Sequence, residues 1–164
     1  FGIGTKTLHG SYKSFQTSSQ KVILACKWRS KVKKFISTKL AANILLAIYG
    51  LLVIFHLLVL AQVIPPDIVW GGQIGDSPTE LVVFEMIALI TVVFFAVTIA
   101  IKVDYIKVGR FKKVFNILLW IIFIYALLNI IGNFLSISSI ETLLFLPVSI
   151  VVALLVFRLA IEKS

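Results

Sequence analysis

The sequence predicts an all-α polytopic membrane protein: four transmembrane helices in a bundle, both termini on the cytoplasmic side, preceded by a basic amphipathic segment. Three observations carry that prediction. The 164 residues are 60% hydrophobic and only 14% charged, with a mean hydropathy of +1.07, against roughly 45–50% apolar and about 25% charged residues in average soluble domains. Four apolar runs are each long enough to cross ~30 Å of hydrocarbon at ~1.5 Å per residue. The 16 basic residues, which give a net charge of +9, all fall on one side once those runs are threaded through a membrane. A water-soluble enzyme is excluded, and a topology signal replaces nucleic acid as the reason for the charge.

Residues 1–20 are polar, rich in Gly, Ser and Thr, and lack the apolar core of a signal peptide, so they read as a tail. The chain opens on Phe1 rather than Met, and an upstream start is expected. Over residues 21–39, Leu24, Trp28, Val32 and Phe35 recur at helical spacing among Lys27, Arg29, Lys31, Lys33 and Lys34. A helix of this pattern lies in the membrane interface, apolar side chains dipping inward and cations on anionic headgroups; a solvated basic linker is the plainer reading. Lys27, Trp28, Arg29, Lys31, Lys33 and Lys34 are the candidate membrane-surface residues.

The first span reads as 40–64, ended by Pro65-Pro66, which cannot continue a helix. The second, 78–101, opens on Ser77-Pro78-Thr79-Glu80, a capping box with proline at the first helical position. The third is 114–135. The fourth, 140–161, follows Ser138-Ser139-Ile140-Glu141, another S-x-x-E cap, carries Pro147 in its first turns where proline costs least, and has Arg158 near its end, where it can snorkel.

Nine basic residues precede the first span, five lie between the second and third, and Arg158 and Lys163 close the chain; the 64–80 and 136–142 connections hold none. Both termini and the 102–113 loop are therefore expected inside, with the other two loops outside.

Polar side chains within a span need a partner or a wet cavity. His56 in the first span, Glu85 in the second and Asn129 in the third fall at similar depths. From their predicted outer helix ends they lie roughly 12, 10 and 9 Å down by helical rise. Packed as a bundle, they reach one another beneath the Pro65–Gly72 loop, and Tyr49 extends their level inward, two turns before His56 on the same face. Tyr125, Asn129 and Asn133 form one stripe at i, i+4 and i+8. The candidate ligand-binding set is thus His56, Trp70, Glu85, Tyr125, Asn129 and Asn133. Each has a bland counterpart: the asparagines as interhelical hydrogen-bond glue at ~0.6 kcal/mol per contact, His56 as a packing residue, and Trp70 as an interface anchor rather than a cover over the bundle mouth. No metal site is predicted, because one histidine and one carboxylate supply two ligands and no His-x-x-x-His follows. Cys26, the lone cysteine, excludes an intrachain disulfide or a CxxC redox pair. No catalytic residues and no cofactor are predicted.

Pro65-Pro66-Asp67-Ile68-Val69-Trp70-Gly71-Gly72, then Val83-Phe84-Glu85, then Asn129, Gly132 and Asn133, resembles a family of small bacterial four-span membrane proteins of unknown function. The resemblance covers the stretch from Leu40 to Arg158, with Gln73 where an arginine is expected. It implies a four-helix membrane bundle, a bacterial inner-membrane setting, and interest in Trp70, Glu85, Asn129 and Asn133; it brings no activity with it.

Two functional classes follow. One is a non-enzymatic binding or complex-subunit protein of the membrane, with a polar pocket in the outer leaflet. The alternative is a small membrane enzyme acting on a lipid or isoprenoid, with Glu85 and His56 as acid and base. A single polar level with no internal repeat argues against an independent transporter. Expected partners are the bilayer, anionic headgroups at the cytoplasmic face and other membrane subunits, with no nucleic acid.

Overall fold

The computed structural model describes residues 20, 36–65, 69–70, 78–109 and 112–162, which are helical or irregular with no strand among them. The chain divides into two compact units, Phe1–Ser37 and Thr38–Ser164. Of the first, only residues 20, 36 and 37 are described. The predicted tail and the surface set Lys27, Trp28, Arg29, Lys31, Lys33 and Lys34 lie outside the described residues.

The second unit runs α1 (Thr38–Leu60), α2 (Pro78–Lys102), α3 (Lys112–Leu135), a π-helical turn (Glu141–Phe145) and α4 (Leu146–Ala160). Counting the π-helical turn with α4, all four helices are long and apolar enough to cross a membrane, and a helix satisfies within itself every backbone group that lipid cannot. Large apolar side chains such as Leu51, Ile90, Ile117 and Leu154 lie exposed on their outer faces, where a bilayer would be the solvent. Packing is most extensive within the pairs α1–α2 and α3–α4 and thinner across α1–α4 and α2–α3, so the bundle is two helical hairpins side by side.

α1 ends about a turn before the predicted boundary. Gln62 adopts φ 57°, in the left-handed region. The Val63 N–H then donates to Leu58 O at 2.9 Å and the Gln62 N–H to Val59 O at 2.9 Å, the paired bonds of a Schellman termination. Pro65 finishes the stop, because the residue before a proline is pushed out of the helical region. α2 starts at Pro78 as the capping sequence predicts, although Ser77 itself lies outside the described residues. It ends through the same termination as α1, with Asp104 at φ 63° and the Tyr105 N–H on Ala100 O at 2.9 Å.

The fourth span opens on a wider turn than expected. Pro147 sits at the start of α4 and has no N–H to give to the preceding turn; the register is made up by the π-helical turn before it.

At the end of the bundle where the basic residues gather, a polar network joins all four helices. The Arg158 guanidinium donates to Glu162 Oε2 at 2.9 Å and to Thr38 Oγ1 at 3.2 Å. Lys102 Nζ donates to Asn116 Oδ1 at 2.9 Å and to the Glu162 carbonyl at 2.7 Å, and the Tyr105 hydroxyl donates to Asn43 Oδ1 at 2.7 Å. Arg158 therefore does not snorkel. It is only 5% exposed, because Glu162 one turn on and Thr38 across the bundle offer partners nearer than the headgroups. Above this network the core is tight, with Ile99, Leu119, Ile122, Val156 and Leu159 fully or almost fully buried.

Candidate functional site

The opposite half of the bundle is built differently. His56 lies four residues before the end of α1 and Glu85 seven after the start of α2, so the two meet only because α1 stops deeper than α2 begins. His56 Nδ1 is 2.6 Å from Glu85 Oε2. The Trp70 indole N–H donates to the other carboxylate oxygen, Oε1, at 2.8 Å. Glu85 is completely buried, while the His56 side chain keeps 15% exposure. An ionisable side chain this deep in an apolar helix requires partners, and here both of its oxygens have one.

The connection after α1 is held down at the same place. Val69 is buried with Val59 and Leu81, flanked by Phe55 and Ile64, which pins the segment to both helices of the first hairpin. Trp70 follows at φ 56°, a conformation that costs a non-glycine residue on the order of 1–3 kcal/mol. Its hydrogen bond to Glu85 and its ring contact with Phe84, centroids 5.2 Å apart, hold it there. Trp70 is thus more than an interface anchor: it covers the buried carboxylate.

Behind this trio lies a cavity of about 620 Å³ between the hairpins. All six candidate ligand-binding residues, His56, Trp70, Glu85, Tyr125, Asn129 and Asn133, line it, as do Tyr49 and Gly132. Their roles differ. Asn133 Nδ2 donates to Ser149 Oγ at 2.7 Å, and the Asn133 carbonyl accepts from Thr142 Oγ1 at 3.1 Å; this residue ties α3 to the fourth span. Asn129 Nδ2 donates to the Tyr125 carbonyl of its own helix at 3.2 Å. Neither asparagine touches the His56–Glu85 pair by a hydrogen bond.

Tyr49, which the sequence placed only as an inward extension of the site, is the residue with most to offer. It is 4% exposed and packs edge-on against Phe95, centroids 6.1 Å apart. Its hydroxyl lines the cavity and carries no hydrogen bond among the described residues, yet no buried side-chain polar atom there lacks a partner. The hydroxyl is therefore open to the cavity. By the same reasoning Nε2 of His56, another lining residue, is accessible rather than sealed in the protein. Phe95 also packs against Tyr125, at 5.2 Å, so the three rings form the inner end of the cavity.

Among the described residues no three His, Cys, Asp or Glu side chains gather as metal ligands, and the available donor set for a cation is the single His56–Glu85 pair. Chemically the site offers one buried, hydrogen-bonded histidine–carboxylate pair, two polar tips facing a shared space, and aromatic walls. No family model, curated protein or solved structure matches the chain.

Proposed function

We propose that the protein is a membrane-embedded binding protein of the bacterial cytoplasmic membrane, and that the cavity between its hairpins takes an amphiphilic small molecule whose polar group sits at His56. One observation carries this reading: a fully buried Glu85 carboxyl, bonded to both His56 and Trp70, fixes an imidazole that lines a cavity of about 620 Å³. A histidine that served packing alone would not need its orientation fixed by a buried charge.

The test is chemical. The full chain is taken from its native membrane in polymer-bounded discs and its lipid extracted for mass spectrometry. One class of molecule enriched over bulk membrane in the wild type, and lost from Glu85→Ala, is the expected result; identical lipid profiles for the two proteins would reject the reading.

The 2.6 Å contact also favours a second reading on the same residues. A carboxylate that orients one imidazole nitrogen while the other faces the bound molecule is the arrangement of a general acid–base pair. In that case His56 and Glu85 would transform a lipid or isoprenoid. Recovery of the bound molecule unchanged after prolonged incubation with wild-type protein would eliminate it.

Orientation belongs to the same proposal. The network end of the bundle carries the basic residues, so it faces the cytoplasm, and the His56–Glu85 level lies in the outer leaflet. Segment 21–39 then meets the anionic inner surface and its lipids. A reporter fused after Ser164 should be active only in the cytoplasm; activity on the other side would overturn both statements.

A further inference from the structure

Resting on that binding reading, the site can be assigned a ligand class. Among the described residues that line the cavity, His56 and Glu85 are the only histidine and carboxyl side chains. In apolar surroundings that pair is stable when its charges cancel, and there are two ways to cancel them. Either Glu85 is ionised and His56 is an imidazolium, or the Glu85 hydroxyl donates to Nδ1 of a neutral ring. In both arrangements Nε2 carries a proton; a carboxylate accepting from Nδ1–H of a neutral ring would instead leave Nε2 an acceptor, at the cost of a net charge in the apolar interior. With the charges cancelled, the imidazole nitrogen not held by Glu85 is a donor and seeks an acceptor oxygen.

The same accounting excludes charged heads. An anion would leave a net negative charge beside a buried carboxylate, and a cation would find both Glu85 oxygens already occupied by His56 and Trp70. A second donor, the Tyr49 hydroxyl, lies two helical turns further in. Between them the walls are aromatic: Phe55, Trp70, Phe95 and Tyr125 all line the space, and flat rings stack on such faces.

A way in is also visible. On the α1–α4 side Phe55 and Phe145 close the wall, ring centroids 5.0 Å apart. On the α2–α3 side, beyond the Phe95–Tyr125 contact, Ala88, Thr91 and Val92 line the cavity opposite Leu128, Asn129 and Gly132. Among these six, no hydrogen bond or ring contact crosses the seam: Thr91 and Asn129 bond only within their own helices. Leu128 is 61% exposed while also lining the cavity, and a Cβ built on Gly132 meets nothing within 4 Å. This seam, with no cross-helix bond among those six residues and an exposed Leu128, is where an opening toward lipid fits best.

We infer that the site takes a neutral lipid of the quinone class: a flat ring between the aromatic walls, one carbonyl oxygen accepting from His56 Nε2, the other directed toward the Tyr49 hydroxyl, and an apolar tail leaving over Gly132 through the α2–α3 seam. An acyl-ester carbonyl offers the same acceptor without the ring, so the experiment separates the two.

The full chain in lipid nanodiscs, carrying Trp28→Phe and Trp120→Phe so that Trp70 is the remaining indole, is titrated with a decyl-substituted benzoquinone and the fluorescence followed. Saturable quenching is expected. His56→Ala and Gly132→Trp should each weaken it at least tenfold and Tyr49→Phe severalfold, with circular-dichroism melting confirming that each variant is folded. Diacylglycerol should compete poorly and phosphatidylglycerol not at all. Non-saturable quenching, or wild-type affinity in folded His56→Ala or Gly132→Trp, overturns the assignment. Displacement by equimolar diacylglycerol overturns the ring, and displacement by phosphatidylglycerol overturns the neutral head. Enrichment of some other lipid in the native-membrane extraction would sink this inference while leaving the binding reading intact; no enrichment sinks both.

Discussion

Replacing Glu85 by alanine should cost about 3 kcal/mol of stability, the largest effect of any single substitution in the cavity half of the bundle. The change strands two groups at once, His56 Nδ1 and the Trp70 N–H, and an unpaired buried polar group costs roughly 1–3 kcal/mol each. It also opens a hole where a fully buried side chain was. Glu85→Gln should cost only about 1 kcal/mol, since its amide still presents an acceptor to Trp70 and a donor to His56. Reversible unfolding in mixed micelles, followed by helical circular dichroism, measures both. A double-mutant cycle with His56→Ala should show coupling above about 1 kcal/mol, because the two residues share one interaction. Glu85→Ala within 0.5 kcal/mol of wild type by that same unfolding assay would mean that the trio is ornamental.

The second large effect is expected at the other end. Arg158→Ala should destabilise by about 2 kcal/mol, less than the roughly 3–5 kcal/mol of breaking a fully buried ion pair, because Glu162 is 27% exposed and can rehydrate. Arg158→Lys should recover only part of that loss: a single ammonium cannot present the planar fork that reaches Glu162 and Thr38 together. The double variant Arg158→Ala/Glu162→Ala should be less damaged than the sum of its parts. Additive losses in the same unfolding assay would show that the pair contributes nothing by its contact.

Much of this was legible in the residues, and what was not has physical reasons. Four spans follow from hydropathy, because lipid admits only helices and closed barrels, and continuous apolar runs of roughly 20 residues fit a helix rather than a strand. The start of α2 follows from its capping sequence. The meeting of His56 with Glu85 follows from depth alone, since helical rise is constant. The end of α1 does not follow: Ala61, Gln62 and Val63 continue the apolar run well enough, and the left-handed turn at Gln62 is a conformational choice with no glycine to announce it. The network of Lys102, Asn116, Glu162, Arg158 and Thr38 was also out of reach. Its members lie on four different helices and near their ends, where polar residues are ordinary, and no periodicity links them. Trp70 was ambiguous because a tryptophan at an interface satisfies the same composition rule whether its N–H points at headgroups or at a carboxylate. Asn133 turned out to be the interhelical tie that such residues usually are, and Tyr49 gained weight only when its hydroxyl was seen without a bond.

The partners of Glu85 have one further consequence, which concerns how the protein is made. His56 belongs to the helix before Glu85 and Trp70 to the connection between them, so both are synthesised first. When α2 leaves the ribosome and moves sideways into lipid, the groups that hydrogen-bond its carboxyl are already made. A lone helix carrying a glutamate pays to enter hydrocarbon; a hairpin that carries the glutamate together with its histidine does not present it bare. On this order of residues α1 and α2 should insert as one unit, and a chain shortened to begin after Trp70 should insert α2 less efficiently than the full one, as a glycosylation-reporter insertion assay would measure.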